Sequence, residues 1–225
     1  MTYIIASEKS WNKELIERLR KKIQANWIMI DKRENLNSTL INEISPDKIF
    51  FPHWSYMIPP EVYEMHECIV FHITDLPFGR GGSPLQNLIL RGFSDTKISA
   101  LKVVGDIDAG DIYLKKNLSL QGSAREIFSR ADATIETMIV DIVNKNIKPE
   151  AQIGDPVFFK RRKPHESNIS ELTEVKEVFD YIRMLDADSY PPAFIESKNF
   201  SFEFSDAIFN NIDNTITASV RINKK

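Results

Sequence analysis

Cysteine is nearly missing from this chain, with Cys68 the single example in 225 residues. One thiol excludes an intrachain disulfide and any Cys-rich zinc site, and it fits a reducing, cytoplasmic setting. It lies in the apolar run Cys68-Ile69-Val70-Phe71, where a buried core thiol is the expected reading rather than a nucleophile. Long apolar runs are absent too. No stretch approaches the roughly 20 residues that span a bilayer, and Met1–Ile5 lacks the basic flank and long apolar region of a signal peptide, so no membrane partner is expected. Positive charge is not in excess: 29 Lys and Arg against 32 Asp and Glu give a formal net charge of −3. That balance gives no reason to expect nucleic acid as a partner, which wants a basic stripe. Glycine is sparse, eight in all, and every one lies between Gly79 and Gly154.

What is present is ordinary for a globular protein able to bury a core: 42% hydrophobic and 27% charged residues. Tyr3–Ala6 reads as a buried strand. Ser10 offers an N-cap, with Glu14 nearby, to a helix with Leu15, Ile16, Leu19 and Ile23 on one stripe. Trp27–Ile30 and Lys48–Phe51 read as strands flanking a short helix capped by Asn37 or Ser38. Pro60 opens a helical turn, and Cys68–Phe71 is a fourth strand. Strands alternating with helices at this spacing predict right-handed crossovers and a Rossmann-like α/β layer with a mostly parallel sheet. Ser83 is expected to cap a helix ended by Gly92, Lys97–Val104 and Ile112–Leu114 to be strands, and Ser123 to begin a long helix to Asn144. The character changes after Pro149. The tail, with a helix over Glu171–Leu185 and strands at Phe200–Phe204 and Thr215–Ile222, reads as a small α+β appendage. The expected division is 1–155 for the α/β domain and 156–225 for the appendage. The Ile, Phe and Val residues of Phe200–Ile222 suit either a packed tail or a sheet shared in a homodimer.

In open α/β sheets ligands sit outside the carboxyl ends of the strands. That brings three segments to one rim: His53–Tyr56, His72–Gly82 and Asp106–Asp111. Three glycines fall within four residues at Gly79, Gly81 and Gly82. Such a cluster lets a backbone approach a ligand or turn with positive φ, and a plain tight loop needs the same glycines. The spacing is neither a Walker loop nor a dinucleotide fingerprint. His53 and His66 are given no role.

The run His72-Ile73-Thr74-Asp75-Leu76-Pro77, the Gly/Arg bend after it, and Asp108-Ala109-Gly110-Asp111-Ile112 together resemble the catalytic domain of the formyltransferases that use N10-formyltetrahydrofolate, the glycinamide-ribonucleotide and methionyl-tRNA enzymes among them. Gly122–Phe128 and Ile182–Phe194 continue the same alignment. The short tail, with Gly-Arg-Gly-Gly-Ser-Pro and Phe-Lys-Arg-Arg-Lys-Pro, looks most similar to the sugar N-formyltransferases, such as that of a modified pseudaminic-acid pathway. The resemblance therefore implies an enzyme that formylates a nucleotide-linked amino sugar in the cytoplasm, without nucleic acid. Its alternatives are an aminoacyl group on a carrier protein or tRNA, or a non-catalytic folate- or sugar-binding relative.

The same resemblance assigns roles. His72 would stabilise the oxyanion of the tetrahedral adduct and move a proton, and Asp108 would orient its imidazole. The family's asparagine two residues before the histidine is Val70 here, which cannot donate. Asn87 is the first choice to replace it, with Gln86 and Thr74 also nearby. Trp54, Tyr56, Met57, Ile58, Asp75, Leu76 and Pro77 would wall the folate, although Trp54 and Tyr56 serve equally as packing aromatics. Arg80, Gly81, Gly82, Lys160, Arg161 and Arg162 are the candidates to hold a substrate diphosphate. By composition alone, Lys160–Lys163 reads first as a solvated basic patch. No metal site is expected.

Overall fold

The computed structural model describes residues 1–9, 12–188 and 190–225. The expected cap at Ser10 lies outside these residues. In chain order the elements are β1 (Thr2–Ala6), α1 (Asn12–Lys22), β2 (Asn26–Ile30), α2 (Ser38–Ile44), β3 (Lys48–Phe51), α3 (Pro60–Tyr63), β4 (Cys68–His72), β5 (Phe78–Gly81), α4 (Pro84–Leu90), β6 (Asp95–Lys102), β7 (Ile112–Ser119), α5 (Ala124–Asn144), β8 (Val157–Phe159), α6 (Val175–Leu185), β9 (Ala193–Glu196), β10 (Phe200–Asn210) and β11 (Thr215–Lys224). Among the described residues no helix is long and apolar enough to cross a membrane.

The main sheet runs β2-β1-β3-β4-β6-β7. Its first four strands pair in parallel, and β6 turns antiparallel to β4. This is the mostly parallel Rossmann-like layer that the alternating apolar runs predict. Side chains alternate across it. Tyr3, Trp27, Phe50 and Phe71 line one face as a chain of ring contacts. On the other face Ile4, Ala6, Ile49, Phe51 and Cys68 pack with Ile41 of α2 and Val62 of α3. Val70 leans on this second cluster, so His72, two residues further along β4, stands at the end of the same row.

The helix ends follow local chemistry. The Asn37 side chain accepts from the Leu40 amide at 3.0 Å and caps α2. Ser123 and Glu126 form a reciprocal capping pair ahead of α5, with Ser123 N–H donating to the Glu126 carboxylate at 2.7 Å. Ser83 departs from its expected role. It sits in the left-handed region at φ 50° and its side chain caps nothing in α4; its Oγ instead accepts from the Arg162 amide at 3.0 Å. The tail helix starts at Val175 because Glu174 is still extended. Two short strands, β5 and β9, carry no periodicity long enough to read from sequence, while β8 falls on the strand-like run ahead of Lys160.

The chain separates into two compact units: Met1–Gly81, Lys97–Leu118 and Arg130–Phe158 form one, and Gly82–Thr96, Ser119–Ser129 and Phe159–Lys225 the other. A single division at 155/156 misses this interleaving, because α4 joins α6 in the second unit, where the Gln86 amide donates to the Met184 carbonyl at 3.1 Å. That unit carries the antiparallel sheet β11-β10-β9, with Phe179 of α6 stacked on Phe209.

Candidate active site

His72 is the last residue of β4 and is 9% exposed. Its Nε2 lies 2.8 Å from the Gly79 carbonyl, and its Nδ1 lies 3.5 Å from the Asp108 carboxylate. A carbonyl only accepts, so Nε2 carries a proton and donates to Gly79, while Nδ1 faces an acceptor-only carboxylate and is matched when it too carries a proton. A ring carrying both protons donates to both neighbours.

Asp108 is itself held. It sits in the left-handed region at φ 51°, and its Oδ2 accepts from the Gly81 amide at 2.9 Å. Gly81, at φ 107°, owes its glycine to that conformation. Gly110 owes its own to crowding, since a Cβ there would stand 1.8 Å from the Lys102 carbonyl. The Gln152 amide nitrogen closes the turn by donating to the carbonyls of Asp108 and Gly110, at 2.8 Å each. No motif or spacing in the chain singles out Gln152.

The segment after His72 is fastened by side chains from the neighbouring strands. Ser99 Oγ donates to the Thr74 carbonyl at 2.7 Å and accepts from the Leu76 amide at 3.3 Å. Lys97 and Lys115 both reach Asp75, at 2.8 and 2.5 Å. Burial alone would raise the Asp75 carboxyl, but the two ammonium groups outweigh it and hold the group below its ordinary value. Asp75 is therefore anchored by its own chain, and Leu76, 1% exposed, and Ile58, 6% exposed, are core side chains; what the latter two offer a ligand is backbone. Met57 and Tyr56 stay exposed. The Tyr56 hydroxyl is raised above its usual value by a hydrogen bond to Glu8, and its ring lies under the Arg33 guanidinium at 4.7 Å. Trp54 packs edge-on against Phe51 and Tyr56, with its indole N–H buried and without a hydrogen-bond partner among the described residues.

The other expected residues are occupied differently. Asn87 donates to the carbonyls of Gly82, Ser83 and Lys160 at 3.0–3.1 Å and accepts from Arg91. Both ends of its amide are spent, so it is not free to replace the donor lost at Val70. Gly82 is required because a Cβ would meet the Arg161 Cβ at 2.5 Å. Arg162 spreads over the Tyr181 ring at 5.1 Å and the Lys160 carbonyl accepts from Asn87, whereas the Lys160 and Arg161 side chains are exposed. The Arg80 guanidinium binds the Gln152 oxygen through Nε and Nη2, at 3.2 and 2.8 Å. Among the described residues no group of three or more His, Cys, Asp or Glu could hold a metal.

The model of the methionyl-tRNA formyltransferase C-terminal domain matches residues 164–223. A methionyl-tRNA formyltransferase from Clostridium thermocellum is 46% identical over the whole of both chains and superposes with a TM-score of 0.96. A methionyl-tRNA formyltransferase from Ehrlichia ruminantium is 32% identical over 162 residues, 69% of this chain and 52% of that one. The chain spans 52–65% of the length of the curated relatives it matches. A sugar N-formyltransferase from a Shewanella species is 15% identical with a TM-score of 0.70, covering 97% of this chain and 96% of that one; that likeness is one of fold alone.

These findings correct the acceptor expected from sequence. The nucleotide-linked amino sugar of a pseudaminic-acid pathway rested on the short tail and on two local runs. The tail matches the methionyl-tRNA formyltransferase C-terminal domain over residues 164–223. The exclusion of nucleic acid falls with it, because overall net charge says nothing of where charge is placed.

Proposed function

The chain belongs to the formyltransferase family that includes the methionyl-tRNA formyltransferases, and from that footing we propose that it transfers a formyl group from N10-formyltetrahydrofolate to the amine of methionyl-tRNA. The observation that carries this reading is the end-to-end likeness to the Clostridium thermocellum enzyme, with a buried His–Asp pair at the strand ends where ligands of such sheets sit. A cytoplasmic location belongs to the same reading.

The folate supplies the formyl group. Exposed Met57 and Tyr56, and the buried indole N–H of Trp54, offer it apolar surface and a donor. His72 holds the proton that must move when the amine attacks and the donor nitrogen leaves, and its charged form stabilises the oxyanion. Asp108 keeps the ring turned with Nδ1 towards the carboxylate. Val70 removes one oxyanion donor, which leaves more of that work to His72; a missing donor of this kind costs about 10²–10³-fold in rate.

The direct test is incubation of the protein with N10-formyltetrahydrofolate and methionyl-tRNA, followed by mass analysis of the released amino acid. Formylmethionine is expected, and His72→Ala should lower its formation by about 10²–10⁴-fold. Near-normal turnover in His72→Ala would overturn the mechanism. Val70 favours one second reading, a binding protein without turnover. Folate binding with no formylmethionine in the parent protein would select it.

A further inference from the structure

Three consecutive residues of β5 each grip a different part of the His–Asp site. Gly79 presents its carbonyl to His72 Nε2 at 2.8 Å. Gly81 gives its amide to Asp108 Oδ2 at 2.9 Å. Arg80, between them, reaches away to Gln152, whose amide nitrogen in turn holds the carbonyls of Asp108 and Gly110. The orientation of the Gln152 amide is fixed by chemistry. Its oxygen faces a guanidinium, which only donates, and its nitrogen faces two carbonyls, which only accept, so the flipped amide would lose every one of these bonds.

We propose that Gln152 is a positioning residue for the proposed formyl transfer, which sets the Asp108 turn and, through Arg80, the β5 strand against His72. It touches no reacting atom. Its hydrogen bonds close a ring of contacts, His72–Gly79–Arg80–Gln152–Asp108–His72, in which each member limits the travel of the next. The longest link in the ring is the 3.5 Å from Nδ1 to Asp108. A small shift of the turn therefore decides whether the carboxylate reaches the imidazole, and misplacements of this size cost reaction rate far more than they cost binding.

The test uses Gln152→Met, which keeps the side chain's bulk and removes its polar atoms, and Gln152→Glu, which keeps an acceptor for Arg80 but loses the donors to the two carbonyls. In formylation of methionyl-tRNA, kcat should fall about 10–10²-fold in both, with KM for methionyl-tRNA changed by less than about twofold. Arg80→Met should fall less, and adding it to Gln152→Met should cost less than the two losses multiplied, because both act on one network. The ¹⁵N shifts of the His72 ring nitrogens, measured without substrate, should move in each Gln152 variant. Parent-like kcat, or a lower kcat with unmoved His72 signals in folded variants, overturns the proposal. If the parent protein formylates no methionyl-tRNA, the functional reading fails instead, and the His72 signals still decide whether Gln152 sets the ring.

Discussion

Strand β4 has a polar cluster at each end, and the two are built in opposite ways. Before its first residue, Glu67 accepts from the Tyr113 hydroxyl at 2.7 Å and from the Lys48 ammonium. Burial opposes charge on Glu67, yet these two donors outweigh it and hold the carboxyl below its ordinary value. Burial, and then the same carboxylate, push the Tyr113 hydroxyl up and the neighbouring Cys68 thiol up to about 12. Each polar group of that cluster has a partner in contact with it. At the far end His72 has one close carbonyl and one carboxylate at 3.5 Å, a looser hold than that on Glu67. The strongest electrostatic perturbation on this strand thus marks the end that stabilises the sheet. Ion-pair networks shift titration as readily as active sites do. The end with slack lies at the carboxyl side where ligands of such sheets bind, which is where the proposed proton transfer would take place.

If that contrast is right, a change at each end should damage a different property. The largest effect is expected at Asp108. Asp108→Asn keeps an oxygen for the Gly81 amide and removes the charge facing Nδ1, so the fold should survive while kcat for methionyl-tRNA formylation drops by about 10²-fold or more. Steady-state kinetics beside a thermal melt would check it. A variant that melts early and turns over normally would reverse the roles of the two ends.

The two ends also differ in how much of them the sequence carries. The four parallel strands are legible because each is a short apolar run followed by helical spacing, and the motif around His72 and the Asp108 turn lies in contiguous residues. The fastening is not legible. Gln152 stands 44 positions from Asp108 and 72 from Arg80, in a stretch without periodicity, and no spacing links the three. Asn87 looks available in sequence and is consumed in space, because three carbonyls happen to converge on its amide. The glycines mislead in the same way: Gly82 reads as room for a ligand, whereas the room is filled by the backbone of Arg161. Tail length misleads about the acceptor, because a short tail still matches the methionyl-tRNA formyltransferase C-terminal domain. Local pattern reports which residues share a strand; it does not report which loops will meet.

A smaller effect is expected at the Glu67 end. Tyr113 is 6% exposed and its hydroxyl is held by the Glu67 carboxylate. Tyr113→Phe removes that bond without leaving a large cavity, and should lower stability by about 0.5–1.5 kcal/mol, or roughly 2–4 °C in melting temperature per kcal/mol. Turnover should stay near the parent's. A normal melting temperature with a lower kcat would mean that the two clusters communicate along β4, and the contrast between them would fail.

The finest test is the acid limb of stability. A carboxyl held below its unfolded value contributes stability that is complete above that value and is lost as pH falls through the folded one, because the unfolded chain then binds the extra proton. For Glu67 the unfolded reference is 4.5 and the folded value lies below it, so its share should fade only as pH drops beneath about 4.5. Glu67→Gln removes this share. The parent and the variant should therefore differ in stability near neutral pH and converge in strong acid, by an amount kept modest because the carboxylate is 34% exposed and partly screened by water. Asp75, held down by Lys115 and Lys97 after burial is overcome, should fade over its own range below 3.8. Denaturation midpoints from pH 7 to pH 3 in both proteins would measure the convergence. Parallel curves would mean that Glu67 keeps the same proton affinity folded and unfolded, and the Glu67 end of β4 would then be no more closed than the end that carries His72.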